Sequence, residues 1–445
     1  MKKSSKLFKQ IVVASAVTFS LSAVAQLAPM QYYRPNNQKG INVFETTKND
    51  TSLFTGIKVR VGGNFTQDFQ SLSDQNNATP VMVAGVNSNQ LASIKPGFNL
   101  AMANLNIDAQ LADGIRMNMT MYLSTRHHQE TWVKGGYVQI DKLSFLKSDL
   151  ADKIMKNFTI KAGDYEVDYG DQHFRRTDGG NSIYNPFVEN YIMDEFATEI
   201  GGEVYFHPKC GIIAMAGITN GELNPTVIAP TQIDSATHKV NRYAPAFHGK
   251  LGYDKQFKND FRFRLTGSFY IDNSASSNTL FFGDRTGSHY FFVMENTAAT
   301  SDANAWSGRY NPQFSEQVRT FMINPFIKFK GLEFFGTYEM AQGRTITESK
   351  MRDVTQYAAD LIYRFPREKE TFWVGARYNS LTTTLPLNPA NVTITRMVGS
   401  IGWFVTKNIM MKAEYVNQQY QNFAPTDIRS GGKFNGFMIE ASLAF

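Results

Sequence analysis

Hydrophobic and polar residues alternate along most of the chain after its first fifty residues. In the segment 261–270, Phe261, Phe263 and Phe269 are interleaved with Arg262 and Arg264. Because successive side chains of a β-strand point to opposite faces, this pattern predicts strands with one apolar and one polar face. Similar runs predict about sixteen strands, many near the ~9–11 residues that cross a bilayer at a tilt, at 55–66, 98–111, 115–122, 131–141, 157–164, 198–207, 211–219, 245–256, 261–270, 317–330, 332–342, 354–365, 371–381, 396–403, 409–420 and 433–445.

The connections between these strands alternate in length. Short turns are predicted at 113–114, 207–209, 258–259, 330–331, 366–370 and 406–408, and long polar connections at 67–96, 165–197, 220–244 and 272–316. Soluble sandwiches also alternate apolar and polar faces, but short turns on one rim and long loops on the other are typical of outer-membrane barrels. The link at 142–156 has leucines and an isoleucine at helical spacing, which predicts a short periplasmic helix.

The start of the chain predicts export. Residues 1–25 carry four lysines, an apolar run and a final Ala23-Val24-Ala25, the layout of a cleavable secretory signal. No later stretch reaches the ~20 apolar residues of a membrane helix. An exported chain that lives in a bilayer must then form a closed barrel, because lipid cannot satisfy an open sheet edge.

The last strand ends in an aromatic residue, with Phe437, Ile439, Leu443 and Phe445 on its apolar face. This strand resembles the closing strand of bacterial outer-membrane barrels, and the resemblance implies that these four residues form the signal read by the barrel insertion machinery. Aromatic residues at both ends of many predicted strands fit two interfacial belts in contact with outer-membrane lipid.

Taken together, the signal, the strand pattern, the terminal phenylalanine and a long third external loop resemble the porins of Gram-negative bacteria, with phosphate-selective and general porins as nearest models. The resemblance implies an all-β, transmembrane, antiparallel up-and-down β-barrel of about sixteen strands in the outer membrane, assembled as a homotrimer. The expected organisation is a signal peptide at 1–25, a periplasmic N-terminal segment at 26–52 and the barrel at 53–445, with an inward-folding loop at about 165–197.

Composition agrees with a barrel and excludes other classes. A mean hydropathy of −0.32 is too polar for a helical membrane protein. Four of the 45 basic residues lie in 1–25, which leaves 41 against 39 acidic residues, so charge gives no support to nucleic-acid binding. The single cysteine, Cys210, excludes an intramolecular disulfide.

The polar faces of the strands predict the wall of the pore. Basic residues modestly outnumber acidic residues on these faces, and arginines bind anions transiently. We therefore expect a mild anion preference. Alternatively, these charges pair with acids across the lumen and hold water. The residues predicted to line the pore are Lys58, Arg60, Arg116, Lys161, Arg262, Arg264, Lys328, Arg377, Arg396 and Glu440.

Selectivity in a pore reflects its narrowest point rather than the sum of its charges. By resemblance to porins, the third external loop narrows the channel, and its acids and arginines would create a transverse field. A solvated surface loop with local salt bridges is the alternative. The predicted constriction residues are Glu166, Asp168, Asp171, Arg175, Arg176 and Asp178.

The sequence contains no phosphate loop, nucleophile elbow or zinc-protease motif, which predicts no enzymatic activity, no cofactor and no metal. His127 and His128 with Glu130 form only a weak metal pattern, and an irregular calcium site near Asp164 stays open. The leading hypothesis is a water-filled channel for passive diffusion of small hydrophilic or anionic solutes. The alternatives are a non-conducting barrel that docks a secretion or surface complex, and an outer-membrane enzyme.

Overall fold

The structure, a computed structural model, describes residues 29–445 except 100–101, 125–130, 223–226, 228, 258–259, 276, 284–286, 305 and 387. Within these residues sixteen antiparallel strands follow one another around a closed barrel. They are β1 (Lys58–Gln75), β2 (Met102–Ala112), β3 (Ile115–Ser124), β4 (Thr131–Ile140), β5 (Phe158–Glu166), β6 (Thr198–Phe206), β7 (Ile212–Thr219), β8 (Ala246–Gln256), β9 (Phe261–Asp272), β10 (Gln317–Phe329), β11 (Leu332–Arg344), β12 (Arg352–Phe365), β13 (Phe372–Leu385), β14 (Asn388–Thr406), β15 (Ile409–Gln421) and β16 (Lys433–Ala444).

The barrel closes where β1 meets both β2 and β16. The first half of β1 pairs with β2 from Lys58↔Gln110 to Phe65↔Ala103. The second half of β1 pairs with β16 from Asn64↔Ala444 to Gln75↔Lys433. A short piece, Gly97–Asn99, also pairs with β1 ahead of β2, and a small hairpin, Met82–Val83 with Val86–Asn87, lies in the first external loop.

The predicted fold class, an all-β antiparallel transmembrane barrel of about sixteen strands, is confirmed. Several strands extend beyond their predicted ends: β1 has 18 residues and β14 has 19. Most of the added residues lie on the long-loop side, where backbone pairing continues beyond the lipid-facing part of the strand. Apolar alternation follows only the lipid-facing part of a strand and therefore underestimates its length.

Burial in this barrel is inverted relative to a soluble protein. Inward side chains such as Arg264 and Glu440 have no exposed surface, whereas outward Phe437, Ile439 and Phe445 are 61%, 45% and 50% exposed. Apolar side chains on the outside have lipid as their solvent. Of the residues predicted as the insertion signal, Phe437 and Ile439 are exposed on the outer face of β16, Leu443 is half-buried there, and Phe445 directly follows the strand. Their role in insertion stays a prediction.

The helical elements are short. The predicted periplasmic helix is present as α1 (Asp149–Met155), with the Ser148 hydroxyl accepting from the Ala151 N–H at its start. Single 3-10 turns occupy Gln38–Gly40, Ser144–Leu146, Gln172–Arg175 and Ser182–Tyr184, and a π-helical turn occupies Thr177–Asn181. In the described part of the chain, no helix has the length and apolar character needed to cross a membrane.

A glycine on the inner face of β14 makes room for a buried indole. A Cβ added at Gly402 would lie 1.9 Å from an atom of the Trp373 ring, which is 1% exposed. We expect Gly402→Ala to lower the free energy of unfolding by about 1–3 kcal/mol, as overpacking does. Gly399 is the matched control, since a Cβ there meets nothing within 4 Å. Urea titration of the protein folded in lipid vesicles would measure the free energy of unfolding of both variants. Equal values would mean that the contact with the Trp373 ring does not restrict the residue at position 402.

Candidate functional site

The third external loop, L3 (residues 167–197), lies inside the barrel. Its central side chains Ile183, Phe187 and Ile192 have no exposed surface. Backbone groups taken out of water need partners, and the wall supplies them. The N–H of Ile192 donates to Asn379 Oδ1 at 2.7 Å, and Arg377 of β13 donates to a carbonyl of L3 at 2.8 Å. L3 is therefore fixed to the wall formed by the later strands.

The fifth external loop, L5 (residues 273–316), covers L3 from the outside. Tyr290 is fully buried and donates to Glu414 of β15 at 2.5 Å. Arg309 forms ion pairs with Glu189 at 2.7 Å and Asp194 at 3.2 Å, both in L3. L3 and L5 together fill the half of the lumen that faces β10 to β16.

The N-terminal segment (residues 29–52) was expected in the periplasm, but it crosses the short-turn mouth of the barrel and enters the lumen. Glu45 accepts two hydrogen bonds from Arg264 of β9, at 2.6 and 2.8 Å. Lys48 pairs with Asp141, after β4, at 3.1 Å. The N-terminal segment is therefore held by inward-facing charges of the barrel wall, and the sequence alone does not predict these ion pairs.

L3 and the N-terminal segment meet at a buried charge cluster on β8 and β9. Arg264 binds both oxygens of Asp171 at 2.7 and 2.8 Å, and Lys250 lies 3.1 Å from the same carboxylate. Burial alone would raise the pKa of Asp171, but the two cations outweigh it and hold that pKa well below the usual range. Asp171 therefore stays ionised at neutral pH and anchors L3.

Open space remains on the opposite side, along β2 to β6. An upper cavity of about 270 Å³ is lined by residues such as Asn106 and Thr120. A lower cavity of about 180 Å³ follows beside Gln139 and Thr159, and a vestibule of about 1000 Å³ opens beside Asp141 at the short-turn rim. These three spaces follow the wall from the loop side towards the periplasmic side.

The three spaces share lining residues, which places them in sequence. The lower cavity shares Glu45, Thr46 and His207 with the vestibule. The upper and lower cavities share five residues, which we call the neck. Four of the five are bases or an ionisable imidazole and none is an acid: Arg34, Arg116, Tyr137, Lys161 and His173.

The neck cations differ in how they are neutralised. Lys161 lies 3.3 Å from Glu203 of β6, and His173 lies 2.7 Å from Asp168. Arg116 donates to the amide oxygen of Gln139 at 2.6 Å, and its Nε is buried without a hydrogen-bond partner. Arg116 therefore has no described carboxylate within ion-pair distance, whereas Lys161 and His173 each have one.

The residues predicted at the constriction divide between the cavities and the buried face of L3. Glu166 lines the upper cavity and Asp168 the lower one. Arg175 and Arg176 are buried instead: Arg176 pairs with Asp194 at 2.5 Å, and Arg175 donates to the N-terminal segment at 3.0 Å. The two arginines thus contact partners inside the protein and line none of the three spaces.

Two further residues, Asp171 and Asp178, were predicted at the constriction. Asp171 belongs to the charge cluster on β9 and lines none of the three spaces. The side chain of Asp178 lies outside what the structure describes. Residues 125–130, which include the weak histidine pattern, also lie outside the described ranges.

The residues predicted to line the pore fall into two groups. Arg116 and Lys161 line the neck, and Arg262 lines the vestibule, where it pairs with Asp254 at 2.6 Å. The others contact neighbouring strands or inserted segments: Lys58, Arg60, Arg264, Lys328, Arg377, Arg396 and Glu440. Lys328, Arg377 and Glu440 pair with opposite charges on neighbouring strands, and Arg264 pairs with the inserted segments.

Sequence reasoning missed Arg34, Tyr137 and His173 as residues of the neck. Neither Tyr137 nor His173 belongs to a recognisable sequence motif. His173 reaches the wall because L3 bends inward, and local sequence patterns do not predict that bend. Arg34 had a weak signal: it follows Tyr32 and Tyr33 in a segment otherwise expected to be solvated. Aromatic residues beside an arginine before the first strand indicate a segment with a buried surface.

No protein-family model and no curated protein matches the chain. Solved structures match its fold. The outer membrane channel DcaP of Acinetobacter baumannii superposes with a TM-score of 0.51 at 10% identity, over 88% of this chain and 98% of that one.

Two further structures are more distant. OmpT, an outer membrane protein of Vibrio cholerae, gives a TM-score of 0.46 at 9% identity, over 87% of this chain and 98% of that one. OccK2 of Pseudomonas aeruginosa, solved in complex with glucuronate, gives 0.41 at 8% identity, over 88% and 100%. Of these three structures DcaP alone has a TM-score above 0.5, and at 10% identity that likeness shows a shared fold.

Proposed function

We propose that the protein is a passive channel of the outer membrane in which small hydrophilic solutes pass along the β2–β6 wall. The observation that carries the proposal is the series of three spaces with shared lining residues, from the upper cavity past the neck to the vestibule. A water-filled route needs polar walls, and the upper cavity has them in Asn106, Asn118 and Thr120. The fold shared with the channel DcaP supports the same class of function.

The charged residues of the neck would make the proposed channel selective among ions. No described carboxylate lies within ion-pair distance of Arg34 or Arg116, so an anion in the neck can accept hydrogen bonds from both guanidinium groups. The acids Asp108, Asp164 and Glu166 line the upper cavity rather than the neck. We propose a preference for small anions over cations. Arginine remains charged throughout the physiological pH range, so the contribution of these two arginines does not depend on pH there.

A planar lipid bilayer tests both parts. The purified protein is expected to give stable conductance steps and a reversal potential in a KCl gradient that indicates chloride preference. Arg116→Gln should shift that reversal potential towards potassium, by about fivefold in relative permeability, the effect of one unit charge about 4 Å from an ion in water.

Arg319→Gln is the matched control, since Arg319 is an exposed arginine on the outer face of β10 that contacts Asn273 at 2.9 Å. An unchanged reversal potential in Arg116→Gln would remove the neck as the selectivity filter. A folded protein that never conducts would contradict the channel itself.

The filled half of the lumen favours a second candidate, a non-conducting barrel that docks a secretion or surface complex. L3 and L5 are fully buried at several positions, which is more than a wide open pore requires. This alternative predicts no conductance and copurification with a partner. A homotrimer, binding of the insertion machinery and the absence of enzymatic activity, cofactors and metals stay predictions.

A further inference from the structure

The N-terminal segment spans the lumen. Asn36 donates to the carbonyl of Phe445 at 3.1 Å, at the β1–β16 seam. Nine residues later, Glu45 binds Arg264 of β9, which lies on the opposite side of a sixteen-strand ring. Between these points Asn42 donates to Glu333 of β11 at 2.6 Å. The segment therefore crosses the barrel from one wall to the other.

Apolar contacts hold the same segment against L3. Phe44 is 4% exposed and packs edge-to-face on Phe174 of L3 at 5.5 Å and on Phe326 of β10 at 5.4 Å between ring centroids. Tyr184 of L3 donates to the carbonyl of Pro35 at 2.5 Å. Such aromatic pairs and hydrogen bonds fix the segment beside L3 rather than leaving it in the periplasm.

Arg34 is the one residue of this segment that reaches the neck. Its guanidinium donates to the carbonyl oxygens of Gly40, at 2.9 and 3.1 Å, and of Phe174, at 2.8 Å. It also lies 3.9 Å from the centroid of the Tyr184 ring. No carboxylate lies within ion-pair distance of it in the described ranges, and two of its five N–H donors are left over after these bonds.

This environment keeps the charge available. Burial lowers the pKa of Arg34 to about 10, which leaves the guanidinium positive at neutral pH. Carbonyl dipoles and aromatic faces orient a cation without cancelling its charge. An anion that enters the neck can therefore accept hydrogen bonds from Arg34.

We infer that the N-terminal segment is a lumenal constriction and that Arg34 is its specificity-determining residue for small anions. The inference rests on the proposed channel function, and it assigns the narrowing partly to a segment that precedes the barrel rather than to L3 alone. The segment restricts the route by its position, and Arg34 selects by charge. Size restriction and charge selection can therefore be separated by mutation.

The first test is Arg34→Gln in planar bilayers with a KCl gradient. Chloride preference should fall by about fivefold, as for one unit charge about 4 Å from an ion in water. Lys39→Gln is the matched control, because Lys39 is exposed, lies in the same segment and lines none of the three spaces. Equal reversal potentials for the two variants would overturn the role of Arg34.

The second test removes the obstruction by deleting residues 30–48. The deleted protein should still show the heat-dependent gel shift of a folded barrel, and its single-channel conductance should be at least about twice that of the full chain, as expected for a wider lumen. An unchanged conductance would overturn the constriction. If the deletion does not fold, Arg34→Gln decides the inference.

The outcomes separate this inference from the proposed function. A full-length protein that is silent beside a deletion that conducts contradicts open passive diffusion but supports the constriction. Silence of both contradicts the proposed channel and overturns the constriction with it. Conductance of both at the same size leaves the channel standing and overturns the constriction alone.

Discussion

Replacing Arg264 with methionine is expected to lower the free energy of unfolding by about 3–5 kcal/mol, the usual cost of breaking a buried ion pair by removing one partner. Arg264 has no exposed surface and contacts three carboxylates: Asp171 at 2.7 Å, Glu45 at 2.6 Å and Asp254 at 3.2 Å. Without it, Lys250 alone would face Asp171 and Glu45. The loss should loosen both L3 and the N-terminal segment.

Urea titration in lipid vesicles measures the stability, and proteolysis of the folded protein measures the release of the two segments. Arg367→Met is the matched control, since Arg367 pairs with Asp260 at a half-exposed site on the short-turn side. An exposed pair contributes about 0–1 kcal/mol. If Arg264→Met were no less stable than Arg367→Met, the cluster would not be what anchors L3.

The same arginine shows how far the sequence predicts this protein. Its inward direction follows from the alternation in β9, because period-two patterning fixes the face of every residue in a strand. Its partners do not follow, because Asp171 and Glu45 are 93 and 219 residues away along the chain. Strand periodicity carries no information about which loop returns to which wall.

Arg377 and Arg34 show what strand patterning predicts and what it does not. Arg377 was predicted to line the pore, and it does face inward, but it binds Asp360 and a carbonyl of L3. The segment that contains Arg34 was predicted in the periplasm, yet Arg34 contacts L3 and lines the neck. A barrel wall can thus be predicted from local patterning, whereas the contents of its lumen depend on tertiary contacts.

Replacing His289 with glutamine is expected to destabilise the closing seam and to flatten its pH dependence. Asp68 of β1 and Glu440 of β16 are direct cross-strand partners at this seam. Like charges directly opposite each other destabilise a sheet. His289 of L5 offsets them, with its Nδ1 2.8 Å from Asp68 and 3.1 Å from Glu440, and Lys412 of β15 lies 2.8 Å from Glu440.

The sign of the pH dependence follows from the charge of the imidazole. Burial alone would lower the pKa of His289, but Asp68 and Glu440 outweigh it and hold that pKa well above its ordinary value of 6.5. Folding therefore favours the protonated form. The stabilisation is complete below about pH 6.5, the ordinary pKa of histidine, and declines as pH rises through the raised pKa of the folded state.

Near pH 6, His289→Gln should cost about 3–5 kcal/mol, because two buried carboxylates then share one lysine. The penalty should shrink as pH rises, since the wild-type protein loses the same charge. Unfolding titrations at several pH values would measure both trends, with His238→Asn, at an exposed histidine of the fourth external loop, as the control. A penalty that did not change with pH would mean that His289 acts by packing, and L5 would then be held to the seam by shape rather than by charge.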